Sequence, residues 1–342
     1  MREALAAFRA DCAALRAELD LGPVLLAALS AAHADDKRTL ATLAARSKRQ
    51  SYVNGIISLY GLLEESVDKV VIEVAEAYSG IFSRYSHVPE RTRVAYKEFS
   101  LRSLLEAERV RLREPIDEAA AIHALTSSVN NMQPQWLPVV FTYATANYRF
   151  PYIAELLHRV DIDVRSNINE SAIRGMLTDS GLDFRSTEGF LADLVARRNE
   201  VAHSYQALNL LDVDTLRAYL DVTEFFIEDL QRVASERVLR CLTEQQLQPM
   251  GKVAHVWRQA IGVDMTSGVI QTPCKVVLVR GSSLSVIDAQ SLQSDGIPLE
   301  GRVQADAGTL PLGISFSGQL LGNFEGGDAF VLPEKWSYLS IF

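Results

Sequence analysis

The spacing of apolar residues changes once along this chain, and that change constrains the fold more than any other feature of the sequence. Up to about residue 245, apolar residues recur at intervals of three and four with charges between them, as in EALAAFRADCAALRAEL. This period is typical of amphipathic helices. After about Pro249 the sequence consists of short alternating runs, such as CKVVLVRG, SLSVIDA, LEGRVQAD and LGISFSG, which predict β-strands. We therefore expect a mainly α protein with a small C-terminal β-rich domain.

The strongest helical pattern runs from Tyr52 to Tyr78. Its apolar stripe is most simply part of the core and consists of Ile56, Tyr60, Leu63, Val67 and Val70 or Val71. Further on, LDVDTLRAYLDVTEFFIEDLQRVASERVLRCL predicts one long amphipathic helix. The resulting division is an N-terminal helical extension over 1–48, a helical domain over 49–245 and the β-rich domain over 250–342.

Two shorter helices are predicted between these long ones. Asn167 or Asn169 is a plausible N-cap for a helix that ends at Gly181, because asparagine favours caps and glycine favours helix ends. Ser186 or Thr187, just before Glu188, marks the start of the next helix.

Composition excludes several classes of protein. The net charge of −9 gives no global basic field for binding nucleic acid, so any such contact must be local. Cys12, Cys241 and Cys274 lie far apart, which gives neither a disulfide framework nor a zinc spacing. The first twenty residues carry charges every few positions, unlike a signal peptide, and no stretch is long and apolar enough to span a membrane. We expect a cytoplasmic protein without a metal, a cofactor or a membrane partner.

One glycine-rich stretch, GNFEGGDAF near the C-terminus, lacks the Gly-Lys-Ser/Thr ending that a phosphate-binding loop needs. We interpret it as a β-hairpin. The terminal position of the β-rich domain suggests a sensor or a targeting element.

The segment ARRNEVAHSY, residues 196–205, contains the side chains that are best suited to a catalytic site. On a helix, Asn199 and His203 share a face, and the long side chain of Arg198 reaches the same place. A guanidinium can hold a phosphate in a bidentate manner, an imidazole titrates near neutral pH, and an amide can orient either group. These groups suffice for cleavage of RNA without a metal, with a general base acting on the ribose 2′-OH and a cation stabilising the phosphoryl oxygens. Taken alone, the same spacing also fits ordinary surface residues of an amphipathic helix.

The motif RNEVAHSY resembles the signature of the HEPN superfamily, in which an arginine is followed by four to six residues and a histidine. It also resembles a toxin branch with a tyrosine two places after the histidine, here Tyr205. The flanking stretch from Asn167 to His203 and the LYGLLEESVDK segment, with Tyr60 and Glu64, are similar to a bacterial HEPN group. That group often has a glycine after the histidine, where this chain has Ser204. The resemblance covers roughly 52–239 and implies a HEPN-like helical bundle.

The resemblance also implies a homodimer with a composite active site between two motif helices. Arg198, Asn199, His203 and Tyr205 would be its catalytic residues. Arg197 would help to bind substrate, and Glu64 on the first helix would reach the cleft or remain a solvated carboxylate. Pairing two copies would concentrate four arginines at one place in an acidic protein.

The implied function is a metal-independent endoribonuclease with an RNA substrate, of the toxin or antiphage abortive-infection type. An antitoxin or a sensing partner would control it, and Tyr205 would be a site of modification by such a partner. Two other hypotheses remain open. One is a catalytically silent HEPN-like scaffold that binds nucleotide, RNA or a protein through the same cleft. The other is a helical interaction module whose function lies in the β-rich domain.

Overall fold

The computed structural model describes residues 2–32, 37–105, 116–130, 132–203, 210–305, 308–318, 320, 322–337 and 339. The chain forms two compact units, Met1–Val233 and Ala234–Phe342. The described part of the chain contains nine helices and nine strands, so the predicted mainly α class with a β-rich C-terminal part is confirmed. The helices are α1 (Arg2–Ala32), α2 (Lys37–Ile81), α3 (Glu90–Leu105), α4 (Glu118–Val129), α5 (Phe150–Arg159), α6 (Val164–Asn167), α7 (Glu170–Asp179), α8 (Thr187–His203) and α9 (Val213–Gln245).

Helix α2 provides much of the core of the helical unit. The predicted apolar stripe is confirmed, since all of its members are at most 2% exposed: Ile56, Tyr60, Leu63, Val67, Val70 and Val71. Farther along the helix, Tyr78 donates a hydrogen bond to the carbonyl oxygen of Val160 at 3.0 Å. The indole N–H of Trp136 donates to the carbonyl oxygen of Ala75 at 2.8 Å. These bonds give buried polar atoms a partner and fix α2 against the segments that pack on it.

Helix α1 packs on α2 and is joined to α9 by ion pairs. Arg16 bonds to Asp221 and, at 2.7 Å, to Glu224, while Arg9 bonds to Glu228 at 2.6 Å. The apolar face of α1 is buried at five positions spaced by three or four residues: Leu5, Phe8, Cys12, Leu15 and Leu19. The helical period predicted for the first twenty residues thus reflects a helix with one buried face.

Helices α7 and α8 begin where the capping signals indicate. The side chain of Asn169 accepts a hydrogen bond from the backbone N–H of Ala172 at 3.1 Å, which selects Asn169 over Asn167 as the cap of α7. Gly181 follows that helix with a φ of 70°, a left-handed conformation that glycine adopts at little cost. At the start of α8, Ser186 Oγ accepts from the N–H of Gly189 at 3.1 Å.

The C-terminal unit contains a closed sheet. Its strands are β1 (Gly251–Val256), β2 (Ala260–Met265), β3 (Val269–Gln271), β4 (Cys274–Arg280), β5 (Ser283–Ser294), β6 (Ile297–Leu299), β7 (Arg302–Gln304), β8 (Leu310–Phe316) and β9 (Asp328–Leu332). The order is β4-β9-β1-β2-β8-β5-β6, and β4 also pairs with β5, so six strands close into a barrel. The four predicted strand runs match β4, β5, β7 and β8. The barrel core is filled by residues from strands all around the sheet, among them Val253 of β1, Ile261 of β2, Leu278 of β4 and Ile314 of β8.

The interpretation of GNFEGGDAF as a hairpin is wrong. Strand β9 begins at Asp328 within that stretch and pairs with β1 and β4, not with the preceding strand β8. The glycines form the turn into β9, where Gly326 has a φ of 79°. Strand partners depend on how the barrel closes, which a local glycine pattern does not encode.

Within the described residues, none of the helices has the length and apolar character needed to cross a membrane.

Candidate functional site

Helix α8 carries most of the ARRNEVAHSY segment, and its start is anchored by the preceding helix. The carboxylate of Glu170 in α7 accepts two hydrogen bonds from Thr187, one from the backbone N–H at 3.0 Å and one from the hydroxyl at 2.6 Å. The helix then continues through Arg198 and Asn199 to His203. The predicted helical placement of these three residues is therefore confirmed, and positions 199 and 203 lie on one face.

Arg198 lies over an aromatic ring of helix α2. Its guanidinium carbon is 5.0 Å from the ring centroid of Tyr60, within the range of a cation–π interaction. Its Nη1 also donates to the side-chain oxygen of Asn199 at 3.2 Å. Among the residues that the structure describes, no carboxylate forms an ion pair with Arg198. Within the described part of the chain, this half-buried guanidinium is therefore not neutralised by a carboxylate.

Arg197, the preceding residue, is engaged inside the bundle. Its Nε donates to Asp193 at 2.6 Å and its Nη1 to the Tyr52 hydroxyl at 3.4 Å, and its side chain is only 19% exposed. Tyr219 of α9 donates to the same Asp193 oxygen at 2.5 Å. Burial alone would lower the pKa of Arg197, but its hydrogen bonds to Tyr52 and Asp193 raise that pKa above its ordinary value. Arg197 thus links α8 to α2 and α9.

The hydroxyl of Tyr60 is held by a neighbouring backbone group. It accepts a hydrogen bond from the backbone N–H of Tyr148 at 3.1 Å, and the carboxylate of Glu64, one turn along α2, lies near it. Burial, together with the adjacent Glu64 carboxylate, raises the pKa of Tyr60 to about 12. Tyr148 in turn donates to Asp68 at 2.5 Å. Glu64, which the resemblance placed near the cleft, therefore lies beside the ring that Arg198 covers.

The structure describes two of the motif residues only in part or not at all. His203 is the last residue of α8, and its backbone is among the described atoms, whereas its side chain is not. Tyr205 lies outside the described residues. Ala202, next to the histidine, is exposed.

The sequence did not reveal several residues that shape this site. The roles of Tyr60 and Tyr148 were missed, because the apolar stripe and the similarity of the LYGLLEESVDK segment to HEPN proteins gave Tyr60 no contact with Arg198, and Tyr148 lies in a different segment. The partners of Arg197 were missed as well, since Tyr52 and Tyr219 come from two other helices. Only Asp193, one turn before Arg197 on the same helix, gave a local signal for an ion pair.

The side chains around Arg198 are arranged in a way that suits binding of an anion. Arg198 presents a planar donor array suited to a phosphate or carboxylate, and Asn199 and Tyr60 hold it from two directions. Among the described residues, no group of three or more histidine, cysteine, aspartate or glutamate side chains is placed to hold a metal ion.

The helical part of the chain matches a known protein family. The helical bundle, together with this comparison, places the protein in the HEPN superfamily. The chain belongs to the RiboL-PSP-HEPN family, whose sequence model matches residues 28–236, more than half of its length. That match ends before the barrel and leaves out most of α1.

The other comparisons add little. None of the curated proteins matches this chain. Among solved structures, the chain is similar to the crystal structure of GDP-bound aIF5B from Aeropyrum pernix at 15% identity, with a TM-score of 0.20. That similarity covers 55% of this chain and 39% of that chain. Because the superposition is so poor, we transfer neither its fold nor its ligand.

Proposed function

We propose that this protein is an endoribonuclease that cleaves RNA without a metal, with Arg198 binding the scissile phosphate. One observation carries the proposal. Of two consecutive arginines on α8, Arg197 is engaged by Asp193 and Tyr52, whereas Arg198 has no carboxylate partner among the described residues. A half-buried arginine that is held in place but not neutralised is suited to bind an anion. Membership in a HEPN family supports an RNA-related role.

In the proposed reaction the ribose 2′-oxygen attacks the adjacent phosphorus. A new bond forms between the 2′-oxygen and phosphorus, the bond to the 5′-oxygen breaks, and the products are a 2′,3′-cyclic phosphate and a 5′-hydroxyl. One His203 accepts the proton of the 2′-OH, and the His203 of a second subunit donates a proton to the leaving 5′-oxygen. Arg198 stabilises the charge on the phosphoryl oxygens, and Asn199 orients it. Tyr205 is proposed to assist in orienting these groups.

The structural role of Arg197 revises one part of this proposal. Its contacts to Asp193 and Tyr52 suit a residue that positions α8. We propose that it supports the substrate site from behind rather than contacting RNA. Glu64 is likewise proposed to act on the site indirectly, through its carboxylate next to the Tyr60 hydroxyl.

The test is cleavage of a mixed single-stranded RNA in EDTA by wild type and by the variants Arg198→Ala and His203→Ala. Matched controls are Arg174→Ala on α7 and His158→Ala on α5, because both of those side chains are exposed. We expect wild type and both controls to leave 2′,3′-cyclic phosphate ends, and each site variant to be at least about 100-fold slower. Equal cleavage by all five proteins would show that the motif is not the active site. Binding of RNA by wild type without cleavage would favour the silent scaffold.

We further propose that the protein acts in the cytoplasm as a homodimer and as a toxin or antiphage effector that a partner restrains. Family membership supports this only in broad terms. Induced expression in a bacterial host is expected to stop growth, and His203→Ala is expected to relieve the arrest while His158→Ala does not. Light scattering should give twice the chain mass of 37.8 kDa. Normal growth during expression of wild type would contradict the proposed toxin or effector role. A monomeric mass would contradict the proposed homodimer.

A further inference from the structure

Tyr60 is placed as a support for Arg198. Its side chain is 2% exposed, and its ring belongs to the core stripe of α2. The guanidinium carbon of Arg198 nevertheless lies 5.0 Å from the centroid of that ring. A cation over a tyrosine face is attracted by the ring quadrupole, and more strongly where water is excluded. The contact therefore restrains the end of a long, flexible side chain.

The ring itself is fixed through its hydroxyl. The backbone N–H of Tyr148 donates to the hydroxyl oxygen at 3.1 Å, and the carboxylate of Glu64 lies near the hydroxyl. Because the ring is buried and its hydroxyl is bonded, displacement of its tip is restricted. Tyr148 is held in turn by its bond to Asp68 at 2.5 Å, two turns along α2 from Tyr60. Tyr148 thus connects Tyr60, through its backbone, with Asp68, through its hydroxyl.

Arg198 is then restrained from two sides. Asn199 accepts a hydrogen bond from its Nη1 at 3.2 Å, and Tyr60 lies against its face. A free arginine side chain loses rotamer entropy when it is immobilised. A guanidinium that is already fixed before substrate arrives loses less on binding.

We propose that Tyr60 is a positioning residue that holds the Arg198 guanidinium in place for a phosphate, with Tyr148 fixing the Tyr60 hydroxyl and Glu64 lying beside it. This inference rests on the proposed ribonuclease function of the site. It assigns to Tyr60 and Tyr148 a role beyond packing. It also assigns Glu64 an indirect role, through the tyrosine, in place of direct contact with substrate.

The first readout is independent of activity. In the full chain labelled with 15N-arginine, the Arg198 Nε–Hε signal, assigned by its loss in Arg198→Lys, should be shifted upfield by the ring current of Tyr60. Tyr60→Leu should remove that shift. Tyr60→Phe keeps the ring and should keep most of the shift. Tyr78→Phe is the matched control, because it also removes a buried hydroxyl from α2, here one bonded to Val160, and it should leave the signal unchanged.

The second readout is RNA cleavage. Tyr60→Leu should lower kcat/KM about tenfold, which corresponds to about 1.4 kcal/mol of lost interaction, and Tyr60→Phe should lower it less. In an Arg198→Ala background, Tyr60→Leu should cause no further loss, since Tyr60 acts through Arg198. Tyr78→Phe should cleave like wild type.

These readouts separate failure of the inference from failure of the proposed function. If wild type cleaves RNA and the tyrosine variants leave both the Arg198 signal and kcat/KM unchanged, the inference is overturned while the ribonuclease stands. If wild type does not cleave RNA, the proposed function fails. The Arg198 Nε–Hε signal then decides by itself whether Tyr60 positions Arg198. Should Tyr60→Leu fail to fold, Tyr60→Phe decides through kcat/KM, which should fall below the wild-type value because the ring has lost the hydrogen bond from the Tyr148 N–H, and an unchanged kcat/KM would overturn the inference. An additive loss in the Arg198→Ala background would overturn action through Arg198.

Discussion

Asp193 and Arg197 form an ion pair of 2.6 Å within one turn of α8, and Tyr219 donates to the same carboxylate oxygen. The pair thus joins α8 to α9, while the neighbouring Arg198 faces Tyr60. Two consecutive arginines therefore have separate functions, one in the fold and one in the proposed site.

Replacing these arginines should affect stability differently. We expect Arg197→Ala to lower the free energy of unfolding by about 1–3 kcal/mol, because Asp193 and Tyr52 each lose a charged partner in a half-buried position. Arg198→Ala should cost less than about 1 kcal/mol, since it loses one cation–π contact and one bond to a neighbour. Urea unfolding followed by circular dichroism measures both, and equal losses would argue against the division of roles.

The cap provided by Glu170 should be needed for the start of α8. Glu170→Ala removes the acceptor of two hydrogen bonds from Thr187 and is expected to cost about 1–2 kcal/mol of stability. Hydrogen exchange should accelerate at the first amides of α8. Glu188→Ala, an exposed acid in the first turn of the same helix, is the control and should have a much smaller effect. Unchanged exchange in Glu170→Ala would contradict this capping role.

High salt should weaken the ion pairs that join α1 to α9. The pairs of Arg16 with Asp221 and Glu224 lie at a partly exposed surface, so Arg16→Ala should cost at most about 1 kcal/mol. We expect faster hydrogen exchange along residues 5–19 in this variant, and in wild type at about 1 M salt, where the Debye length is about 3 Å. Arg38→Ala on the exposed part of α2 is the comparison. Unchanged hydrogen exchange along α1, both in Arg16→Ala and in wild type at high salt, would contradict this prediction.

The fold should lose stability at alkaline pH. Burial is the main cause that raises the pKa of Tyr60, Tyr85 and Tyr96 to about 12, whereas tyrosine in an unfolded chain titrates near about 10. The folded state therefore holds protons that the unfolded state has lost. The stabilisation is complete below about pH 10 and is lost as the pH rises through about 12, at about 1.4 kcal/mol per pH unit for each tyrosine.

Urea unfolding at several pH values between about 9 and 11 measures this slope. Tyr96→Phe should make it shallower by the contribution of one residue, because Tyr96 is fully buried and phenylalanine does not titrate. Tyrosinate absorbance should rise together with unfolding. A slope that is the same in Tyr96→Phe as in wild type would show that this tyrosine does not contribute.

Backbone packing in the barrel should not tolerate a side chain at Gly251. A Cβ there would lie 2.1 Å from the backbone oxygen of Asp264 on the paired strand β2. Gly251→Ala should destabilise the C-terminal unit by about 3 kcal/mol or more. Gly61→Ala on α2 has open space and should stabilise the helix by about 0.5–1 kcal/mol. Thermal unfolding followed by tryptophan fluorescence compares them, and a stable Gly251→Ala barrel would refute the close contact.

The sequence by itself determined the elements and the motif helix, because those depend on short-range rules. Helical period, a cap at Asn167 or Asn169, the strand runs and the grouping of Arg198, Asn199 and His203 on one helix follow from local spacings, whereas the structure selected Asn169 as the cap. Only the tertiary structure decided which arginine is engaged, since Tyr52, Tyr60 and Tyr219 reach α8 from distant segments. It also decided that β4 closes a barrel by pairing with β9 and β5. Such partners are selected by packing of the whole chain, so no local pattern specifies them.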